Sequence, residues 1–456
     1  MTGNEQFEIK IAYIGGGSRY WAYELMSDLA LCPHITGHLA LYDIDQAAAE
    51  TNVKVAEDIF GRPDSRTRFK VTAAKTAATA LKGADFVVCS IEPGPTEMRY
   101  ADLEIPRKYG ILQPVGDTTG PGGIVRGLRA VPVKAHYAHL VMKHCPGAWV
   151  INYTNPMTLC TAALYAAEPA IKAFGCCHEV FGTQSYLAGL VEKWFRVKRP
   201  DRREIMLDIA GVNHFTFATA ASWNGHDLWP RLRTMVSRDT LFNSRARDAR
   251  ERKKKQQWFS SNKLVALDFM RRFDTLGAAG DRHLAEFVPW YTTDEDTLHR
   301  WGVVLTPYAW RLKRSKQGRR STTYSKATLN PSGEEGVAQM LALLGVRPLD
   351  TNVNLPNTGQ MGQSPAGAVV ETYAQFRQDS IRPVVAQPLN EGAAALVNRV
   401  IGVQEMTLEA AMHRDKDLAF HALLNDPLVT IPTDKAWKMF NEMLGHVKKH
   451  LPGWRV

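Results

Sequence analysis

Short apolar runs alternate with longer amphipathic stretches through the first two hundred residues. IKIAYI (9–14), HLALYDI (38–44), DFVVCSI (85–91), AWVINYT (148–154) and IKAFGC (171–176) are rich in apolar and β-branched residues. They lack the strict alternation of a half-exposed strand, so each predicts a strand buried on both faces. Between them, 20–31, 45–60 and 125–142 have the length and spacing of helices. Strand and helix in this order predict an α/β fold whose N-terminal part is a Rossmann-type, doubly wound parallel sheet. Beyond about residue 200 the rhythm changes. DIAGVNHFTFATAASWNGHDLW reads as strands with a hairpin turn at Asn224-Gly225, 381–387 as another strand, and 393–450 as helical from its i, i+3, i+4 apolar spacing. The expected division is 1–200 for the parallel-sheet domain and 201–456 for a mixed α+β domain, the two interwoven because no low-complexity linker separates them.

Composition narrows the class. The chain has 456 residues, 45% hydrophobic and 22% charged, which is the make-up of a globular enzyme with more than one core. Its formal charge of +10 is concentrated in two places. RARDARERKKK (245–255) carries seven basic and two acidic residues, and RLKRSKQGRR (311–320) six basic and none acidic, so the rest of the chain is nearly neutral. Neither segment is interleaved with aromatic residues, which argues against nucleic-acid binding and for solvated faces. No apolar run has the length of a membrane span, and six cysteines without paired spacing form neither a disulfide framework nor a zinc motif. A cytoplasmic protein is expected, with neither nucleic acid nor membrane as partner.

The chemistry gathers at predicted strand ends. The run 9–14 leads into Gly15-Gly16-Gly17-Ser18, where glycine lets the backbone turn tightly against a pyrophosphate at the start of a helix. The next strand ends in LYDID, placing Asp43 where an acid receives ribose hydroxyls and repels a 2′-phosphate. Gly15, Gly17, Ser18 and Asp43 therefore point to NAD rather than NADP. VGDTTGPGG (115–123), NYTNPM (152–157), GCCHEVFG (175–182) and GVNHF (211–215) are polar segments at further strand ends or the loops beyond, where an open parallel sheet binds its ligand. Cys177 and His214 form a natural ligand pair for a metal, with Asn155 and Asp117 as polar neighbours. Two protein ligands leave coordination positions open to substrate.

Taken in order, GGGS, LYDID, GDTTGPGG, NYTNP, GCCHEVFG, GVNHF, VNLPNTGQ and AVVE resemble glycoside hydrolase family four, the NAD- and Mn-dependent glycosidases with a lactate/malate dehydrogenase-like fold. With AAGDRHLAEF (278–287), the set is most similar to the α-galacturonidase branch. The resemblance implies hydrolysis of α-linked, pectin-derived galacturonides. The route is oxidation at C3 by NAD⁺, metal-stabilised deprotonation at C2, elimination, water addition and re-reduction. It also implies Cys177 and His214 as ligands of Mn²⁺, and Asn155 and Asp117 beside the substrate. His178 becomes the proton donor to the leaving oxygen and Asp281 the base at C2. Arg282, with His283, is expected to read the sugar carboxylate in the bidentate manner of a guanidinium, against the plainer expectation that Arg282 pairs with Glu286 one turn later.

Three alternatives stand beside this reading. An α-glucuronidase or α-galactosidase of the same family differs in details of the sugar, and a hydroxy-acid dehydrogenase on the same fold would use His214 as its base. Related folds associate, so a homodimer or homotetramer is expected. If the substrate is a polyanion, the two basic segments acquire a role in concentrating it near the site.

Overall fold

The structure, a computed structural model, describes residues 6–317 and 329–455. Six strands of the first half, β1 (Phe7–Ile14), β2 (Ile35–Tyr42), β3 (Phe69–Ala73), β4 (Phe86–Cys89), β5 (Trp149–Asn152) and β6 (Lys172–Gly175), form one parallel array. Their order, β6-β5-β4-β1-β2-β3, reverses direction at β1, which makes a crevice at the carboxyl ends of the strands around β1 and β4. Five of the six match the buried apolar runs. The sixth, β3, escapes sequence reading because FKVTA buries only Phe69 fully.

The second half contributes a separate antiparallel sheet and an extension of the first. β7 (Ile205–Val212), β8 (Phe215–Trp223), β9 (His226–Asp227) and β10 (Leu276–Gly277) form the separate sheet. The turn between β8 and β9 is the expected one, with Asn224 at φ 47° and Gly225 at φ 77°. β11 (Leu349–Pro356), β12 (Val369–Arg377) and β13 (Ser380–Pro383) return to the first sheet, where β11 pairs antiparallel with β6 through Asn354 and Gly175. One nine-stranded sheet thus draws on both halves of the chain.

The helices that position the site are α1 (Trp21–Ala30), α2 (Gln46–Phe60), α3 (Gly120–His144), α4 (Met157–Ala167), α5 (Glu179–Phe195), α6 (Leu264–Phe273), α7 (Asp281–Leu284) and α8 (Tyr308–Gln317). The C-terminal helices α9 (Glu391–His413), α10 (Lys416–Asn425) and α11 (Thr433–Val447) account for the 393–450 periodicity. Ile124 and Leu128 of α3, Val403 of α9, and Phe440 and Leu444 of α11 belong to one apolar core.

α3 starts five residues before the periodicity suggests, inside Gly120-Pro121-Gly122-Gly123. Its first-turn amides are capped from a distance: Gly120 donates to Asp426 at 2.9 Å and Gly122 to Gln113 at 3.1 Å. A side chain at Gly122 would place its Cβ 2.3 Å from the Asp102 carbonyl.

The basic segment 245–255 is mostly helical (Ala246–Lys254) and partly tied down, Arg252 to the Gly302 carbonyl at 2.7 Å and Lys253 to Glu295 at 2.7 Å. In the second basic segment, 311–317 lie in α8 and 318–320 fall outside the described residues. All six cysteines are buried and free. Among the described residues no helix is long and apolar enough to cross a membrane.

Candidate active site

The glycine turn after β1 is fitted to backbone approach. Gly15 has φ 93°, and a Cβ there would lie 2.0 Å from the Ser90 carbonyl oxygen, so no other residue fits where β1 and β4 diverge. The amides of Gly15 and Gly16 donate to the Tyr42 carbonyl at 2.9 Å, and Gly17 donates to Asp43 Oδ2 at 2.9 Å. Asn52 of α2 closes the turn by donating to the carbonyls of Gly16 (2.7 Å) and Ser18 (2.9 Å), while Ser18 Oγ accepts from the first amide of α1 at 3.1 Å. A bare backbone, a helix start and an acid at the tip of the adjacent strand together fit the pyrophosphate and ribose of a dinucleotide. Trp21, at the head of α1, lies 6.0 Å from the ring of His178 and so joins this turn to the loop after β6.

His214 occupies the two-residue turn between β7 and β8 at φ 68°, a left-handed conformation that costs a non-glycine residue roughly 1–2 kcal/mol. The turn buries the imidazole to 4% exposure and sets it against the loop that leads into α3. There the Thr118 hydroxyl lies 3.0 Å from His214 Nδ1 and 2.8 Å from Asp117 Oδ1. His283 of α7 lies over His214, ring centroids 3.9 Å apart. One ligand atom from each of Asp117, His214 and His283 lies within 4.8 Å of the others.

Burial and the neighbouring His283 push His214 down to about 3, and burial also lowers His283, so both rings are neutral and offer lone pairs. Burial alone would raise Asp117, but His214, Arg99 and His283 outweigh it and hold the carboxyl well below its usual range. A carboxylate with two neutral imidazoles suits a divalent ion of the manganese type better than a thiolate does, and leaves positions open.

The remaining expected residues lie around this group in different states. The sulfur of Cys177 is outside the three-residue cluster, and its thiol is pushed well up by burial and then by Glu371 and Glu179. A metal at the sulfur would be needed to draw off that proton. His178 stands at the mouth of a cavity of about 480 Å³ lined also by Trp21, Glu179, Phe181, Arg202 and Glu334. Its side chain is 47% exposed, and Nδ1 lies 2.7 Å from Glu334. Burial would lower it, yet Glu334 leaves its pKa raised, so it can hold a proton there. The Asn155 carbonyl accepts from Arg126 Nε at 3.0 Å, and its buried Oδ1 has no partner among the described residues.

Asp281 is 1% exposed, with both oxygens engaged. It accepts from the Ser261 hydroxyl at 2.7 Å and from the amides of Leu264 (3.0 Å) and Ala266 (3.1 Å), which bind it to the first turn of α6. Arg282 donates to the Pro114 carbonyl at 2.7 Å and to Thr306 at 3.0 Å, and lies 4.8 Å over the Phe259 ring. Glu286 is not its ion-pair partner. That carboxyl accepts instead from the amides of Val115 and, at 2.9 Å, Gly116.

Sequence reasoning assigned no role to Glu179, Asn213, Asn352 or Glu371. Glu179 accepts from the Gly280 amide at 2.7 Å and approaches His283 Nε2 to 3.5 Å. Asn352 bridges the Cys177 carbonyl (3.0 Å) and Glu371 (2.9 Å), and the side-chain amide of Asn213, beside His214, is buried next to the Cys177 thiol. Three of them sat inside the motifs GCCHEVFG, GVNHF and AVVE, so the signal was present without an assignable role.

The family 4 glycosyl hydrolase profile matches residues 10–193, and that of its C-terminal domain residues 209–429. Among curated proteins, an alpha-galacturonidase of Thermoanaerobacterium saccharolyticum is 46% identical over 100% of this chain and 99% of its own. Among solved structures, one from Bacillus subtilis is 41% identical with a TM-score of 0.88, covering 96% of this chain and 100% of that one. A 6-phospho-alpha-glucosidase from gut microorganisms, in complex with NAD and Mn²⁺, shares the fold at 18% identity and a TM-score of 0.78, over 98% of this chain and 100% of that one. A lactate dehydrogenase from a deep-sea metagenome shares it more distantly, at 12% identity and a TM-score of 0.51, over 89% of this chain and 99% of that one.

Proposed function

The chain belongs to the family 4 glycosyl hydrolases, and from that premise we propose that it is an α-galacturonidase acting on α-linked galacturonides with NAD⁺ and Mn²⁺ bound. The observation that carries the reading is the convergence of Asp117, His214 and His283 beside the carboxyl ends of the sheet whose first strand holds the glycine turn. The length-wide identity to an alpha-galacturonidase supports the substrate.

Gly15, Gly17, Ser18 and Asp43 are assigned to the dinucleotide. Asp117, His214 and His283 are assigned to the metal, with Cys177 reaching it once its thiol is deprotonated. When bound, the two groups supply a hydride acceptor and donor at C3 and a Lewis acid for the sugar oxygens. Asn155 turns its unpartnered Oδ1 to a sugar hydroxyl. His178, held protonated by Glu334, donates to the departing C1 oxygen. Asp281 serves as the C2 base only by releasing its bond to Ser261 when substrate enters. His283, expected beside the sugar, is reassigned to the metal because one of its ring nitrogens lies within 4.8 Å of ligand atoms of both Asp117 and His214.

The test is incubation of the purified protein with α-linked digalacturonate, NAD⁺, Mn²⁺ and a thiol reductant in D₂O. Hydrolysis with deuterium at C2 of the released sugar, and no net NADH, is expected. Stoichiometric NADH would mark a dehydrogenase instead, and cleavage confined to neutral galactosides would overturn the substrate.

A further inference from the structure

Four guanidinium groups surround the loop that carries Asp117, namely Arg99, Arg126, Arg282 and Arg311. Two share one carboxylate: Glu92 pairs with Arg126 and, at 3.1 Å, with Arg99. Arg282 and Arg311 have no carboxylate within 4.0 Å among the described residues. The two acids that could serve them are turned elsewhere, Asp117 to Thr118 and the histidines, Glu286 to the amides of Val115 and Gly116.

Each of the two arginines keeps a buried Nε without a partner among the described residues, and they differ in how the rest of the guanidinium is held. Arg282 is anchored to Pro114, Thr306 and the Phe259 face. Arg311, entering from α8, reaches only the carbonyls of Pro114 at 3.5 Å and Val115 at 3.4 Å, the outer limit of a hydrogen bond. Its Nε is buried with no partner among the described residues. Burial, with the charges of Arg99 and Arg282, pushes it down to about 9. A guanidinium placed among others, with its donors unfilled, is costly unless an anion completes it.

A sugar hydroxyl cannot offset that charge, whereas a carboxylate can, and in the bidentate geometry a guanidinium prefers. Val115, whose carbonyl Arg311 touches, is two residues from Asp117. A galacturonide whose hydroxyl oxygens meet the Asp117 group has a C6 carboxylate that needs a cation nearby, and the Arg311 guanidinium lies against the same loop.

We propose that Arg311 receives the C6 carboxylate of the galacturonide, while Arg282 is a positioning residue that holds the Pro114–Asp117 loop between that carboxylate and the metal group. The assignment rests on the α-galacturonidase reading and names the residue that separates a uronide from a neutral galactoside.

The experiment is calorimetric titration of the NAD⁺- and Mn²⁺-loaded protein with galacturonate and with galactose, for wild type, Arg311→Gln and Arg311→Lys, with melting temperature as the check on folding. Arg311→Gln is expected to weaken galacturonate on the order of 100-fold, the loss of a buried charge pair, and galactose by much less. Arg311→Lys should recover part of the loss. Equal weakening of both sugars, or unchanged galacturonate binding in a variant that melts like wild type, would overturn the assignment. If Arg311→Gln fails to fold, Arg311→Lys decides by the same ratio: a preference for galacturonate undiminished from wild type sinks the proposal. A wild-type protein that binds galacturonate but does not cleave digalacturonate would overturn the functional reading and leave the carboxylate site standing.

Discussion

Glu286 lets the loop beneath the site be tested through its protonation. Burial, with Asp117 adding to it, pushes this carboxyl up to about 8, against the pull of the Val115 and Gly116 amides. Between its ordinary 4.5 and about 8, the folded protein holds a proton that the unfolded chain has released. Stability therefore falls as pH rises through that window and is level above it. At about 1.4 kcal/mol per pH unit, the whole window is worth roughly 3–5 kcal/mol. Glu286→Gln keeps one oxygen for the two amides and cannot ionise. Its melting temperature should lie at or below that of wild type at pH 5 and above it at pH 9, and its activity should outlast wild type on the alkaline side. The measurement is thermal unfolding of both proteins across that range in one buffer series. A difference between the two proteins that stays the same at pH 5 and pH 9 would refute the reasoning, because it would mean that Glu286 does not titrate there.

Three further outcomes follow from the geometry. Asp281→Asn replaces one oxygen that accepts from α6, at a cost of about 1–3 kcal/mol, and should lower the melting temperature. Loss of C2 deuterium exchange with an unchanged melting temperature would instead make Asp281 a base and not a cap. His283→Ala should reduce Mn²⁺ affinity by at least about 10–100-fold in a calorimetric titration. Unchanged Mn²⁺ binding with lost sugar binding would return His283 to the substrate. Gly15→Ala should abolish NAD⁺ binding and destabilise the protein, since its methyl would fall on the Ser90 carbonyl; a normal NAD⁺ affinity by fluorescence titration would contradict the fit.

What the sequence determined by itself is local. Buried apolar runs of strand length announced five of the six parallel strands, because a strand covered on both faces has no polar alternation to disguise it. Gly15-Gly16-Gly17 and Asp43 were legible for a similar reason. The turn and the acid are separated by one strand-helix-strand unit, whose geometry is the same wherever it occurs. The Asn224-Gly225 hairpin needed only two residues that accept positive φ.

The tertiary structure decided everything that depends on chain brought from far away. The early start of α3 rests on Asp426, 306 residues distant, whose carboxylate supplies a cap that no local pattern encodes. His283 joins Asp117 and His214 in one cluster because the β7–β8 turn and α7 bring two rings together across 69 residues of sequence. Arg282 and Glu286, spaced as an ion pair on a helix, separated because α7 ends at Leu284 and each found backbone of the 114–116 loop instead. Arg311 shows the same limit most plainly. In sequence it is one charge in a basic run, but in the fold it lies against the Asp117 loop, half-buried and short of partners among the described residues. Spacing fixes which residues share a helix face, and only the packing of separate elements determines what that face meets.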